Sequence, residues 1–440
     1  PGGSQLDENR NSEDQTPGLA FTCLAVGLMG MAGSACGAGF YLTEVGTPGS
    51  LGTAGAANPT NTVSADASWT NPAGMTGIDE QHVLSGAQVI LPSIKFNAKG
   101  TSNNLVAPPL AGPVQGDNGG NAGVIAPVPS LFYVRPLSER ARFGFSITGP
   151  LGGGVDYGSD FVGRYAVRDV SLLGVGITPS FAYRFTDKLS LGVGVSAVYT
   201  AMEQSIAIRQ GAPNSALDGR LKFENLSDWG FQGILGLTYA FSDRLLLGVV
   251  YRSEADVNLD GEVKVENLRL PLAAPPPTGI KISWTNPQWL DAGLRVKLDD
   301  KTALFFNLGW QEWSKFSDNL LSFSNDRIVT LDRNWDDTWY AGLAAAHQLT
   351  DRSHVSVGIS YDSSPVRDKD RTLDFPLDET WKLSAAYGWK HSEQMSFAIG
   401  ATVYLVGDAP LEQTAQGVTV RGDYDTNMLA ILGGTFRYSF

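Results

Sequence analysis

The chain has 440 residues, of which 42% are hydrophobic, 18% charged and 10% aromatic, with 51 glycines. A bundle of membrane helices is excluded: each span needs about 20 largely apolar residues in a row, and only Leu19–Ala38 comes near that. The net charge of −13 excludes a nucleic-acid binder, which needs a basic footprint to displace counterions.

Residues 1–38 read as a secretory leader. Leu19–Ala32 has the length of a signal core, and the small residues Gly33–Ala38 follow it. The preceding stretch is atypical, with Asp7, Glu8, Glu13 and Asp14 against Arg10 where a leader is normally basic. A membrane anchor is the other reading, but the run is short and broken by glycine. Cys23 and Cys36 both fall inside this stretch. The thiol-free remainder suits folding in an oxidising compartment, unless the distribution is chance.

Residues 39–82 do not alternate. They contain a small-residue run, Ser50–Ala57, and the tripeptide Asn71-Pro72-Ala73. From residue 83 to 440 the dominant signal is a period of two. In 189–199, Leu189, Leu191, Val193, Val195, Ala197 and Tyr199 share one face, and Ser190, Gly192, Gly194 and Ser196 lie on the other. The same rhythm marks 231–239, 245–251, 355–361 and 397–405. Fourteen strands are predicted, over 83–98, 130–138, 141–149, 168–186, 188–208, 228–242, 244–264, 279–298, 301–317, 335–349, 352–363, 378–390, 393–407 and 426–440. A soluble sandwich also alternates. These runs are longer than its usual five or six residues, and they lack the charges of a solvated face. Trp310, Trp313, Trp335, Trp339, Tyr340, Trp381, Tyr387 and Trp389 cluster near strand ends, as in interfacial belts. The expectation is an all-β membrane protein: a 14-stranded antiparallel transmembrane β-barrel in a Gram-negative outer membrane. Links at 186–188 and 242–244 read as short periplasmic turns. Those at 99–129, 209–227, 265–278, 318–334 and 364–377 read as outer loops. The last strand ends at Phe440, in phase with Tyr438 and Phe436, like a signal for the barrel-assembly machinery.

No catalytic, metal or cofactor site is expected. His82, His347, His354 and His391 have no metal-ligand spacing, and Gly152–Gly154 lacks the lysine of a phosphate loop. No nucleophile–base arrangement stands out.

Several segments together resemble the FadL family, the outer-membrane transporters of long-chain fatty acids and aromatic hydrocarbons. The matching pieces are Gly39-Phe40-Tyr41-Leu42 with Glu44, the run Ser50–Ala57, Asn71-Pro72-Ala73, Gly149-Pro150-Leu151-Gly152, Val162–Tyr165, Trp313–Phe316, Tyr361–Pro365 and Trp381–Ser384. The resemblance implies an N-terminal hatch over 39–82 inside a barrel over 83–440, closed by Asn71, Pro72 and Ala73. It implies passive uptake of hydrophobic molecules by capture at the outer loops and sideways release at a kinked third strand. That kink falls at Gly149, Pro150, Gly152, Gly153 and Gly154. Read from residue type alone, these residues predict a break in strand pairing or simply a surface loop.

The apolar link 265–278, with Leu268, Leu270 and Leu272, is a candidate capture surface or a self-packed rim. Arg209 is a candidate for holding a carboxylate. The chain departs from the family at Asp336 and Tyr340, where a lysine and an arginine are common, which favours a neutral cargo such as an alkane or arene. A general diffusion porin and an outer-membrane lipid hydrolase are the alternatives. The expected partners are a hydrophobic ligand, outer-membrane lipid and lipopolysaccharide, and the barrel-assembly machinery. A monomer is expected.

Overall fold

The computed structural model describes Tyr41, residues 47–269 and residues 277–440. The expected leader, together with Leu270 and Leu272, lies outside the described residues.

Among the described residues, fourteen antiparallel strands close into a barrel. They are β1 (His82–Asn103), β2 (Ala126–Pro136), β3 (Ala141–Asp156), β4 (Asp169–Arg184), β5 (Leu189–Ile208) and β6 (Gly219–Ser242). The next four each come in two lengths: β7 (Leu245–Arg252, Ala255–Glu266), β8 (Gly279–Asn286, Trp289–Lys297), β9 (Thr302–Gln311, Asp318–Phe323) and β10 (Ile328–Asp332, Thr338–Thr350). The circuit ends with β11 (Ser353–Asp362), β12 (Thr380–Lys390), β13 (Met395–Val406, extended by Leu411–Ala415) and β14 (Val418–Ser439). Closure comes from β1 against β14, in register from His82↔Ser439 to Asn103↔Val418. Each predicted span has its strand.

Alternation sorts side chains between lipid and lumen. In β5, Leu191, Val193 and Val195 are exposed on the outside, while Ser190 and Ser196 are buried within. Trp229, Trp339, Trp381 and Tyr387 also face outward, as belt residues do. Trp313, Trp335 and Tyr340 do not, since all three are buried inside the barrel.

A membrane crossing needs about 9–11 residues of strand. β1 has 22 and β6 has 24, and the surplus stands above the bilayer as the wall of an outer cup. Parts of the expected outer loops 209–227 and 318–334 are therefore strand. Cross-strand charge holds them: Lys264 lies 2.6 Å from Glu224, and Lys222 lies 2.7 Å from Glu266.

The hatch sits within the barrel as four short pieces: Pro48–Leu51, Asn58–Thr60, Ala67–Thr70 and Pro72–Gly77. Glycines on the inner wall leave room for it. A Cβ at Gly236 would lie 2.2 Å from Asn71 Oδ1, and one at Gly248 would lie 1.8 Å from the Pro59 carbonyl. Gly192, Gly358 and Gly433 meet the hatch in the same way.

Candidate functional site

The hatch motif is built on one side chain with three jobs. Asn71 is fully buried. Its Oδ1 accepts the Ala73 N–H at 3.1 Å and so caps the short helix that Pro72 begins. Its Nδ2 donates to the Pro59 carbonyl at 2.6 Å and to the Leu237 carbonyl of β6 at 3.1 Å. Asn71 thus folds the hatch and bonds it to the wall. Thr76 Oγ1 to Ser190 Oγ at 2.7 Å and Thr402 Oγ1 to the Leu51 carbonyl at 2.8 Å add further ties.

Four wall arginines clamp hatch carbonyls or hydroxyls. Arg142 Nε donates to the Ile78 carbonyl at 2.5 Å, and Arg295 to Thr62 Oγ1 at 2.9 Å. Arg184 donates to the Thr76 carbonyl and Arg252 to the Trp69 carbonyl. The Arg252 guanidinium lies over the Trp69 and Trp289 rings, 4.2 and 5.1 Å from their centroids. The sequence reading missed these residues. Their signal was present: each is a charge in the lumen-facing phase of an alternating strand.

Above the hatch the lumen is lined by aromatic and aliphatic side chains. Tyr41 packs 4.9 Å from Trp289 and 5.6 Å from Trp313. Trp313 meets Trp335 at 5.4 Å, and Trp335 meets Phe375 at 5.8 Å. On the facing side, Tyr157 stacks on Phe161 at 4.2 Å, and its hydroxyl pairs with that of Tyr424 at 2.6 Å. Such a lining solvates apolar cargo and offers few charges.

Four cations bordering this space are matched to carboxylates. Arg164 meets Asp218 at 2.7 Å, Lys382 meets Asp362 at 2.8 Å, and Arg371 meets Asp378 at 3.0 Å. Arg333 meets Asp374 at 2.8 Å. Burial pushes the Asp374 carboxyl up, but the Arg333 guanidinium outweighs this and holds it below the usual range. Arg371 and Arg333 secure the segment 363–379, whose Val366, Leu373 and Leu377 are buried in the barrel mouth.

Of the candidate capture residues, Leu268 is half-buried at the outer rim. Arg209 stitches outer loops together: its guanidinium donates to the Gly211 carbonyl (3.2 Å), the Gln416 carbonyl (3.0 Å), Asn103 Oδ1 (2.8 Å) and the Leu110 carbonyl. Asp336 forms an ion pair with Arg367 at 3.4 Å on the surface, whereas Tyr340 is buried inside.

The wall is incomplete at β3. Its ladder to β2 runs from Pro136↔Arg142 to Leu131↔Ile147 and stops there. Beyond Ile147, β2 continues alongside β1 as far as Ala126↔Ile90. β3 continues alongside β4 to Asp156↔Asp169, with a register shift between Thr148 and Leu151 that skips Gly149 and Pro150. Burial ceases to alternate at this point, and Pro150 to Gly153 are all buried, so the strand bends into the lumen. Tyr41 bridges to Leu151, and Gly123 bridges to Val155 at the outer margin. Pro127 and Pro129, two apart, remove two donors from one edge of β2. What remains beside Thr148–Gly154 is a stretch between β2 and β3 without ladder bonds, with the Val128 side chain standing against Gly149.

A family model described as "Outer membrane protein transport protein (OMPP1/FadL/TodX)" matches residues 28–440. The chain is 25% identical over 452 residues to the long-chain fatty acid transport protein of Escherichia coli, covering 95% of this chain and 98% of that protein. It is 28% identical over 392 residues to the 47 kDa outer membrane protein of Pasteurella multocida, covering 83% of this chain and 87% of that protein. Among solved structures, a Pseudomonas aeruginosa FadL homologue superposes with a TM-score of 0.82 at 21% identity, covering 92% of this chain and 100% of that one. The P. putida toluene transporter TodX gives 0.64 at 17% identity, covering 86% and 94%. At these identities the solved structures speak to the fold alone.

Proposed function

The chain belongs to the OMPP1/FadL/TodX family of outer-membrane transport proteins, and on that premise we propose a route for its cargo through the side of the barrel. It is a Gram-negative outer-membrane channel for hydrophobic compounds and not an enzyme. In the proposed route, a hydrophobic molecule is captured at the outer rim by the apolar segment of Leu268, Leu270 and Leu272, in loops stitched by Arg209. It passes along the aromatic lining above the hatch. It leaves into the bilayer beside Gly149, Pro150, Gly152, Gly153 and Gly154. The hatch over 39–82, closed by Asn71, Pro72 and Ala73, stays in place and blocks the direct path. The residues before it act as a processed leader.

The observation that carries this reading is the end of the β2–β3 ladder at Ile147, where β3 turns its Pro150–Gly153 run inward. A barrel wall is otherwise paired throughout, because unpaired backbone in lipid costs several kcal/mol per group, of order 2–7. An opening kept at that cost has a use. The hatch that fills the lumen weighs against a general diffusion porin.

The matched ion pairs favour an uncharged cargo, an alkane or arene. A fatty-acid carboxylate would have to displace Asp218 or Asp374 from its arginine. The relatives named as fatty-acid transporters support the second reading, a fatty acid. Assembly through Phe440, contact with lipopolysaccharide and a monomeric state complete the proposal.

The test is a disulfide across the opening. A Cβ at Gly149 would lie 4.0 Å from that of Val128, within the about 3.5–4.5 Å that a disulfide spans. With Cys23→Ser and Cys36→Ser as background, Val128→Cys with Gly149→Cys lowers uptake of a radiolabelled alkane or arene at least tenfold, and reductant restores it. Unchanged uptake in the oxidised protein rules out lateral release. Comparing labelled alkane, arene and fatty acid in the reduced protein separates the two cargo readings.

A further inference from the structure

Above the hatch Arg164, Lys382, Arg371 and Arg333 each meet a carboxylate, whereas two arginines below it, Arg295 and Arg437, do not among the described residues. A chamber of about 440 Å³ lies between the underside of the hatch and the inner wall, at the end of the barrel that carries the short turns. That end faces the periplasm. Its floor includes the turn residues Asp351 and Arg352, so it opens outward there. The wall brings Arg295, His354 and Arg437 to this chamber, together with apolar patches from Leu84 and Phe305.

Arg437 is the unusual member. Its Nε is buried without a hydrogen-bond partner, and the one carboxylate whose charge it feels, Glu80, forms no ion pair with it among the described residues. Arg295 donates to Thr62 Oγ1 at 2.9 Å and weakly to the Thr60 carbonyl at 3.4 Å, which leaves most of its five donors unused. Of the remaining charges in the lining, Asp66 accepts from Thr47 at 2.7 Å and Asn61 at 2.8 Å and stays negative, which offsets one of these two, and Lys390 pairs with Glu393 at 2.5 Å. Asp351 and Arg352 are exposed neighbours on the turn and offset each other.

A buried donor without an acceptor costs about 1–3 kcal/mol, and a guanidinium costs more. The unsatisfied Nε of Arg437 and the spare donors of Arg295, facing one roomy, half-apolar chamber, amount to a binding site. We propose that this chamber binds the anionic head of a single-chain amphiphile, a carboxylate or phosphate held by Arg437 and Arg295, with its chain against Leu84 and Phe305. The volume falls in the about 300–1,000 Å³ range of small-molecule sites. The site lies on the opposite side of the hatch from the transport cavity and does not depend on how cargo leaves.

The test uses the purified full chain in a neutral detergent, titrated with dodecanoate, dodecyl phosphate, dodecanol and inorganic phosphate by calorimetry. The expected result is saturable binding of one or both anionic amphiphiles. Arg437→Gln weakens it about tenfold or more, Arg437→Lys largely preserves it, and dodecanol binding is the same in all three proteins. Preference for dodecanoate identifies a free fatty acid as the natural occupant, and preference for dodecyl phosphate a lysophospholipid. The heat-dependent gel shift of a closed barrel confirms that each variant folds. Equal affinity in Arg437→Gln and the parent overturns the proposal. So does inorganic phosphate binding as tightly as dodecyl phosphate, which marks an ion site only. Retained alkane or arene uptake in Arg437→Gln keeps this result separate from the transport reading.

Discussion

The hatch and the opening at β3 are both interruptions of a plain barrel, yet they are secured in opposite ways. The hatch is bonded to the wall by Asn71, Thr76 and Thr402 and by four arginines, and the wall is cut back to glycine where it touches. The opening has little besides the Tyr41 and Gly123 bridges to hold its margins on the β2 side. One element is over-determined and the other is left loose. A channel that moved its plug would show the reverse, with few ties to the plug and a continuous wall.

The sharpest way to break this contrast is to lock each region in turn. Thr76→Cys with Ser190→Cys places two thiols where two hydroxyls now lie 2.7 Å apart. Oxidised, this hatch lock leaves hydrophobic uptake within about twofold of the reduced protein, against at least a tenfold loss for the lock across β2 and β3. Equal losses would show that the hatch moves during transport. A second variant forces the hatch from the wall instead. Gly236→Leu puts a side chain where even a Cβ lies 2.2 Å from Asn71 Oδ1. The hatch must shift, and entry of a hydrophilic antibiotic through the lumen rises several-fold in a susceptibility assay.

Asn71→Ala acts on stability. It removes a cap and leaves the Pro59 and Leu237 carbonyls without their donor, a loss of about 2–3 kcal/mol. Urea-driven loss of the folded barrel in vesicles measures it, and an unchanged midpoint would show that the motif is not a tie. The smallest effect concerns the mouth. Asp374 is held below the ordinary carboxylate pKa by Arg333. A depressed pKa stabilises the folded mouth above about pH 4 and ceases to do so as pH falls through the folded value. Protection of 363–379 against hydrogen exchange, taken relative to the intrinsic amide rate at each pH, therefore falls in acid in the parent chain. Arg333→Gln exchanges faster already at neutral pH and loses most of the pH response.

The barrel was legible in the sequence because a lipid-facing strand must alternate, and long runs such as 189–199 leave little choice. The outer strand extensions within 219–227 and 318–332 were not. Lys222 and Glu224 alternate with the buried Phe223 over too short a run to stand out, and the charged stretch reads as loop. Trp313 was misplaced for a different reason. A short helical turn, Trp313–Phe316, interrupts β9 and breaks the phase count, swinging the ring inward. At the kink, Gly149–Gly154 alone suits a loop as well as a broken strand. The pair Pro127 and Pro129 on the neighbouring strand is the local sign that pairing fails there. The hatch motif was visible only by resemblance, because the tie of Asn71 to the wall runs to the Leu237 carbonyl, 166 positions away.

The side opening also bears on selectivity. A pore that empties into water sorts solutes by size and charge. One that empties into hydrocarbon sorts them by partition. Each methylene adds about 0.8 kcal/mol to residence in the bilayer, so two added methylenes multiply retention roughly tenfold. A molecule that enters the cup but prefers water has no reason to leave by the wall and drifts back out. On the proposed route, consumption in the cell would set the direction of flow, and the barrel would need no energy source of its own.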